Sequence, residues 1–114
     1  MDDDTRRLKR RHLIFYLDVY DESGEILGHL VDITTKGIKL VSKDPIKTGK
    51  EYKLKMQLPE EYFTDQDLHF TGRSLWADKD INPDFFATGF EISGLDNAAR
   101  VIISKLINEL GFND

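Results

Sequence analysis

The sequence predicts a mostly β fold, a six-stranded antiparallel split β-barrel with one C-terminal α-helix. Six short segments between Leu13 and Ile92 alternate apolar and polar residues, which is the period of a half-buried strand, and turn-forming residues separate them. From Leu95 onward, the apolar residues follow the spacing of a helix instead. Short strands followed by a single helix indicate a small barrel whose open end the helix covers.

The first three predicted strands cover residues 13–19, 26–33 and 38–42. Turn-forming residues at 21–24 and 34–37 separate them, because Asp, Thr, Ser and Gly favour tight bends. The first strand has an apolar side chain at every second position: Leu13, Phe15, Leu17 and Val19.

The last three predicted strands cover residues 52–58, 68–77 and 85–92. The first of these alternates most regularly, and Pro59 ends it because proline lacks the amide hydrogen that a strand donates. Residues 78–83 indicate a hairpin connection. The final strand places three apolar residues on one face: Phe86, Phe90 and Ile92.

The predicted helix has an apolar stripe with charged residues outside it. Ser93 or Asp96 is expected to cap its start, and Gly111 stands where a left-handed residue commonly ends a helix. The stripe consists of Leu95, Ala98, Ala99, Ile102, Ile103, Leu106 and Leu110.

The chain of 114 residues has the length of one ordinary domain. We expect residues 1–11 to form a flexible basic segment and residues 12–114 a single domain. The acidic start lacks the apolar stretch of a secretory signal, and no run reaches the roughly 18 residues of a membrane helix. The sequence therefore predicts a cytoplasmic protein without membrane insertion.

The positive charges are concentrated near the amino terminus. Residues 6–11 hold five of the 16 basic residues, which leaves 11 basic against 21 acidic residues elsewhere. An acidic body repels a polyanion, so we expect no DNA or RNA partner. A small anion that meets only the basic segment is still compatible with this charge distribution.

Signatures of an enzyme or a metal site are scarce. The chain has no cysteine, and its three histidines, His12, His29 and His69, lack metal-ligand spacing. No serine stands in a nucleophile-elbow context. We therefore expect no catalytic residue, no metal and no cofactor.

Two local features go beyond ordinary strand and turn chemistry. Residues 6–11 contain four arginines, whose planar guanidinium groups fork onto phosphate and stack on bases; in the ordinary interpretation they form a solvated tail. Residues 32–37, Asp-Ile-Thr-Thr-Lys-Gly, separate the second and third strands. There the ordinary interpretation is a turn in which Asp and Thr bond local backbone and Gly37 accepts a positive φ.

Together, these features resemble the PilZ domain family, cytoplasmic receptors for the bacterial second messenger cyclic di-GMP. That family pairs RxxxR before its first strand with (D/N)xSxxG after its second. Arg6 with Arg10, or Arg7 with Arg11, matches the first pattern. Asp32, Thr34 and Gly37 match the second, with threonine in place of serine. The segments 73–76 and 88–91 are similar to the family's tryptophan-bearing and closing strands.

The resemblance implies a cyclic di-GMP site formed by both motifs. The family tends to place apolar residues three, five and seven positions after the second arginine, which favours Arg6 and Arg10 with Arg7 and Arg11 as neighbours that assist. The arginines would bind phosphate or guanine, and Asp32 would accept hydrogen bonds from guanine or hold an arginine in place. Thr34 would offer a hydroxyl, its methyl crowding the ligand, and Gly37 would allow close backbone approach.

The resemblance also implies that ligand binding orders the arginine segment and that a downstream protein partner reads this change. The alternative is a nucleotide-independent PilZ-like adaptor. A third interpretation, a barrel that binds single-stranded nucleic acid, needs aromatic residues on one outer strand surface. We expect the aromatic residues largely to follow core parity instead, which disfavours this third interpretation.

Overall fold

Six antiparallel strands close into one barrel, followed by one helix. In the computed structural model, the structure describes residues 17–60, 63–64 and 67–110, except for the side chains of residues 109 and 110. The elements are β1 (Asp18–Tyr20), β2 (Ile26–Ile33), β3 (Gly37–Ser42), β4 (Glu51–Gln57), β5 (Asp67–Lys79), β6 (Phe86–Ser93) and α1 (Asn97–Leu110). The predicted fold class is confirmed.

The strands follow the order β1-β2-β3-β6-β5-β4 around the barrel, and β4 returns to β1. Hairpins connect β1 to β2, β2 to β3, β4 to β5 and β5 to β6, so most neighbours in space are also neighbours in the chain. Two residue pairs close the ring between β1 and β4: Val19 with Met56 and Tyr20 with Lys55.

The alternating apolar residues of the strands fill the inside of the barrel. Leu30, Leu40 and Met56 are fully buried, and Leu54, Phe70 and Phe90 belong to the same cluster. The helix contributes its own apolar stripe to this cluster through Ala99, Ile103 and Leu106. The helix therefore completes the core.

Asp96 caps the helix, because its Oδ1 accepts a hydrogen bond of 2.8 Å from the amide of Ala99. Ser93, the other expected cap, is the last residue of β6. Between them, Gly94 has a φ of +72°, a left-handed conformation that reverses the chain direction at low cost for glycine. Gly111 lies outside the described residues.

Most predicted strand bounds agree with the structure to within two residues. The second strand matches at both ends, because a turn closes it on each side. The fifth extends to Lys79, so the observed connection covers residues 80–85 instead of 78–83. Residues 13–16 of the first predicted strand and the boundary between residues 11 and 12 lie outside the described residues. Over the described ranges, no helix is long and apolar enough to cross a membrane.

Candidate functional site

The turn between β2 and β3 is organised by Thr34. Its Oγ1 accepts hydrogen bonds from the amides of Lys36 (3.2 Å) and Gly37 (3.1 Å), and its own amide donates to the carbonyl oxygen of Gly37 at 2.8 Å. A hydroxyl that accepts two local amide hydrogens shapes a turn in the way expected of serine or threonine. Thr34 is itself exposed.

Asp32 faces outward because the register of β2 shifts just before it. Leu30 pairs with Leu40, but Asp32 pairs with Lys39, so Val31 is an extra residue in the ladder. Without this β-bulge, Asp32 would share the inward parity of Leu30. Its Oδ1 accepts a hydrogen bond of 2.9 Å from the amide of Ile33. Among the described residues, its second carboxylate oxygen has no hydrogen-bond partner.

Gly37 is required by close packing and not by its backbone angle. The expectation of a positive φ is wrong, since the described glycines with positive φ are Gly24, Gly49 and Gly94. A Cβ on Gly37 would lie 2.6 Å from the carbonyl oxygen of Phe90. The glycine therefore lets β3 start tight against β6.

A second β-bulge turns Trp76 outward. Ser74 pairs with Phe90, but Trp76 pairs with Gly89, so Leu75 is the extra residue in β5. Trp76 would otherwise share the inward parity of Ser74, which is fully buried. Instead, 45% of the Trp76 surface is exposed.

The described part of the chain agrees only in part with the expectation that aromatic residues largely follow core parity, since Tyr52 and Phe63 also pack against the core. Its buried aromatic residues are Phe70 and Phe90, and Trp76 is exposed on the outer surface. The remaining described aromatic residues are half-buried: Tyr20, Tyr52, Phe63, Phe85 and Phe86.

Residues on four neighbouring strands form one outer row. The register pairs Asp32 with Lys39, Lys39 with Gly89, and Gly89 with Trp76. Since neighbouring strands lie about 4.8 Å apart, the row is roughly 14 Å long. Gly89 has no side chain, and the indole of Trp76 lies where a Cβ on Gly89 would be.

An open cavity of about 230 Å³ lies along this row. Asp32, Thr34 and Gly37 all line this cavity. The structure also adds residues that sequence reasoning did not include in the site. The lining consists of Asp32, Thr34, Gly37, Ile38, Lys39, Leu75, Trp76, Gly89 and Phe90.

One signal in the sequence could have identified Trp76. Residues 68, 70, 72 and 74 keep a period of two, and two large apolar residues, Leu75 and Trp76, then follow each other directly. Two consecutive apolar residues in an alternating strand indicate that the following side chains change from one face of the sheet to the other, which is the effect of a β-bulge.

A larger cavity of about 530 Å³ lies near the turn between β1 and β2, at the other end of β2. Its lining includes Asp21, whose Oδ1 accepts hydrogen bonds from the Ser23 hydroxyl (2.6 Å) and the amides of Ser23 and Glu25. The Ser23 hydroxyl lowers the pKa of Asp21. The carboxylate is engaged within the turn, and Asp32, Thr34 and Gly37 do not line this cavity.

The described residues contain no group of three or more His, Cys, Asp or Glu side chains that could hold a metal ion. His29 lies beside Asp18 instead, with 2.7 Å between Nδ1 and Oδ1. His12 lies outside the described residues.

The four predicted arginines, Arg6, Arg7, Arg10 and Arg11, also lie outside the described residues. The point at which that segment joins the barrel is described. The amide of Leu30 donates a hydrogen bond of 2.9 Å to the carbonyl oxygen of Leu17. Because β1 runs antiparallel to β2, its amino-terminal end lies toward the end of β2 that carries Asp32.

The chain is similar to proteins of one family in sequence and in fold. The family model for the PilZ domain matches residues 4–109. The structure of the Bacillus subtilis inhibitor of motility (MotI/DgrA) gives a TM-score of 0.65 and 17% sequence identity, covering 86% of this chain and 48% of that chain. The present chain thus spans about half the length of MotI.

A second similar structure is the PilZ domain with c-di-GMP of YcgR from Escherichia coli. Its TM-score is 0.61 at 11% identity, and the match covers 83% of this chain and 79% of that chain. No curated protein matches the sequence. At these identities, the two structures establish the likeness of the fold.

Proposed function

Because this chain belongs to the PilZ domain family, which includes c-di-GMP receptors and adaptors, we propose that it binds cyclic di-GMP and passes the signal to a partner protein. One observation carries this proposal: Asp32, Thr34 and Gly37 line the same cavity on the outside of the barrel, and Lys39 and Trp76 lie beside them. PilZ domains are binding and adaptor domains, and we propose no reaction for this one.

The carboxylate oxygen of Asp32 that has no hydrogen-bond partner among the described residues is the acceptor for the guanine N1–H and exocyclic amine in this proposal. Lys39 supplies a positive charge for a phosphate within the same row. Thr34 acts mainly by holding the turn, because its hydroxyl already accepts two amide hydrogens. The Thr34 hydroxyl also donates a weak hydrogen bond to the carbonyl oxygen of Gly37, with 3.4 Å between the two oxygens. Because this bond is weak, the hydroxyl hydrogen is available to a ligand.

The arginine motif completes the site in this proposal, with Arg6 and Arg10 binding phosphate oxygens or guanine O6 and N7. Leu17 stands seven positions after Arg10, and an extended chain over seven positions spans at most about 23–25 Å. That reach exceeds the roughly 14 Å length of the row from Asp32 to Trp76. A ligand held from both sides would order the segment and create a surface for a partner.

The proposed contacts are sufficient for useful affinity. Charge-assisted hydrogen bonds contribute roughly 1.5–3 kcal/mol each. Three or four of them reach the approximately −8 kcal/mol of micromolar binding once the cost of ordering the segment is subtracted.

Isothermal titration calorimetry of the full chain with cyclic di-GMP tests this function. Micromolar or tighter binding is expected, and no heat of binding at millimolar dinucleotide would refute it. The second candidate is the nucleotide-independent adaptor, favoured by the engagement of the Thr34 hydroxyl within its own turn. An adaptor of that kind gives no calorimetric signal with the dinucleotide.

A further inference from the structure

Beyond Ser74, strand β5 has one free edge. Its earlier part is paired with β4 on that side. At Ser74 the connection before β4 takes over, since the Ser74 carbonyl oxygen accepts a hydrogen bond from the amide of Gly49 (2.7 Å) and its amide donates to the carbonyl oxygen of Lys50 (3.0 Å). Pairing with β6 on the other side continues to Lys79. Among the described residues, positions 75–79 therefore have a neighbouring strand on one side.

The backbone of Ala77 is directed toward this free edge. Antiparallel residue pairs alternate between those that exchange two hydrogen bonds and those that exchange none. The amide of Asp80 donates to the carbonyl oxygen of Phe85 at 3.0 Å, which marks this pair as a bonded one. Counting back along β5, the pair of Asp78 with β6 is bonded as well, and those of Lys79 and Ala77 are not. The amide and carbonyl groups of Ala77 and Lys79 consequently face away from β6.

Most of these outward backbone groups are unpaired in the described part of the chain. The amide of Lys79 donates to Oδ1 of Asp78 at 2.9 Å, so a side chain occupies that donor. No described residue bonds the amide and carbonyl of Ala77 or the carbonyl of Lys79 on this side. Residues 75–79 are all exposed, Leu75 to 56%. An open row of strand donors and acceptors is a template for another strand.

The side chains around the edge determine which segment can pair with it. The arm of residues 75–84 carries one lysine and three aspartates, Asp78, Asp80 and Asp84. Two copies of this acidic arm repel each other, whereas a segment that contains lysine or arginine is attracted. Ile81, at the end of the arm, is 87% exposed and offers an apolar contact.

The turn that presents Ile81 is held by hydrogen bonds. The amide of Phe85 donates to the carbonyl oxygen of Asn82 at 3.0 Å, and the amide of Asp84 donates to Oδ1 of Asn82 at 3.1 Å. Pro83 stands between them and restricts its own φ. A turn that is already formed loses little conformational freedom when a partner binds, which favours affinity.

We propose that the free edge of β5, residues 75–79, docks an extended segment of a partner protein by β-strand addition. This segment carries lysine or arginine to face the aspartates of the arm and an apolar residue to contact Ile81. The inference rests on the proposed function, since it names the surface that binds the partner. Leu75 also lines the candidate cavity, so a strand added here lies beside the proposed ligand site.

The first test is amide hydrogen exchange in the full chain, followed by NMR spectroscopy. We expect the amide of Ala77 to exchange faster than that of Asp78, because the Asp78 amide belongs to the ladder with β6. A protected Ala77 amide in the isolated chain would show that the edge is already occupied, and would overturn the proposal.

The second test is photo-crosslinking in cells that naturally produce the protein. The full chain carries p-benzoylphenylalanine at position 81, and a matched control carries it at position 101, where Val101 is 67% exposed on the helix. We expect an adduct at position 81 alone, with the attached peptide containing lysine or arginine. No adduct specific to position 81, an adduct with a second copy of the chain, or an attached peptide without basic residues would overturn the proposal.

The third test titrates the attached segment, as a synthetic peptide, into the full chain by calorimetry. Ala77→Pro removes the amide that faces the edge and keeps the ladder with β6, so we expect it to weaken binding roughly 10-fold. Ala77→Ser keeps the amide and should bind as the wild type does. Equal affinity of Ala77→Pro and wild type would overturn the proposal. If Ala77→Pro does not fold, protection of the wild-type Ala77 amide by the peptide decides the question.

Calorimetry of the wild type with cyclic di-GMP separates this proposal from the proposed function. Dinucleotide binding without an adduct at position 81 would remove the docking surface and leave the receptor function intact. An adduct without dinucleotide binding would support the docking surface and identify the chain as the nucleotide-independent adaptor.

Discussion

Asp32 and Trp76 stand at the two ends of one row of paired residues, and a β-bulge in each of their strands turns them to the outside of the barrel. The extra residues are Val31 in β2 and Leu75 in β5. Alternation would place Asp32 and Trp76 inside the barrel, and each bulge moves one of them to the outer surface. The candidate site is thus produced by two departures from regular strand geometry, and Gly89 leaves room for the indole of Trp76.

The arginine register can be decided by two double variants. We expect Arg6→Ala with Arg10→Ala to abolish calorimetric binding of cyclic di-GMP, since charge-assisted contacts are lost. The matched pair Arg7→Ala with Arg11→Ala removes the same charge and should retain measurable binding. The melting temperature should change little in either variant. The reverse order of affinities would assign the ligand to Arg7 and Arg11, and unfolding would identify the arginines as structural.

Asp32→Asn isolates the charge of the carboxylate. The side-chain oxygen of asparagine still accepts a hydrogen bond from the amide of Ile33, so the local backbone is retained. Loss of a charged acceptor should weaken cyclic di-GMP binding roughly 10- to 100-fold in calorimetry. Asp78→Asn, an exposed change on β5 outside the cavity lining, serves as the control. Unchanged affinity of Asp32→Asn would remove this residue from the proposed site.

Gly37→Ala should destabilise the fold, because its Cβ would lie 2.6 Å from the carbonyl oxygen of Phe90. Forcing β3 and β6 apart is expected to cost about 1–3 kcal/mol, measured by urea denaturation. Thr35→Ala, an exposed change in the same turn, should stay within about 0.5 kcal/mol of the wild type. Wild-type stability of Gly37→Ala would show that the two strands can separate freely at this point.

The contribution of the helix to the core can be measured with Leu106→Ala. Leu106 is fully buried in the cluster that contains the barrel residues, and its truncation should cost about 2–5 kcal/mol of unfolding free energy. Val101→Ala, on the exposed face of the same helix, should cost little. Similar losses in both variants would mean that helix propensity, and not burial, accounts for the effect.

The strand content and the helix could be predicted because they follow from local alternation and turn chemistry. Residues 26–33 alternate and end in a turn on each side, so the second strand was located to the residue. The position of Asp96 before the apolar stripe likewise predicted one of the two possible caps.

The outer face was harder to predict. A bulge arises where two strands pair, and pairing is a property of the folded barrel that one strand read alone does not contain. For that reason, alternation alone would place Trp76 on the inner face with Ser74. The sequence suggested a positive φ for Gly37, but the structure shows that this position needs glycine because β3 packs closely against Phe90. This contact joins residues 53 positions apart in the chain, so local sequence could not predict it.

Closure of the ring also limits how other chains can associate with this protein. Within the described barrel, each strand has a neighbour on both sides, so little backbone is available for strand exchange with another molecule. Among the described residues, one exception is the far end of β5, which continues past the start of β4 at Glu51. Asp78 and Lys79 occupy that end, and charged side chains there oppose edge-to-edge aggregation.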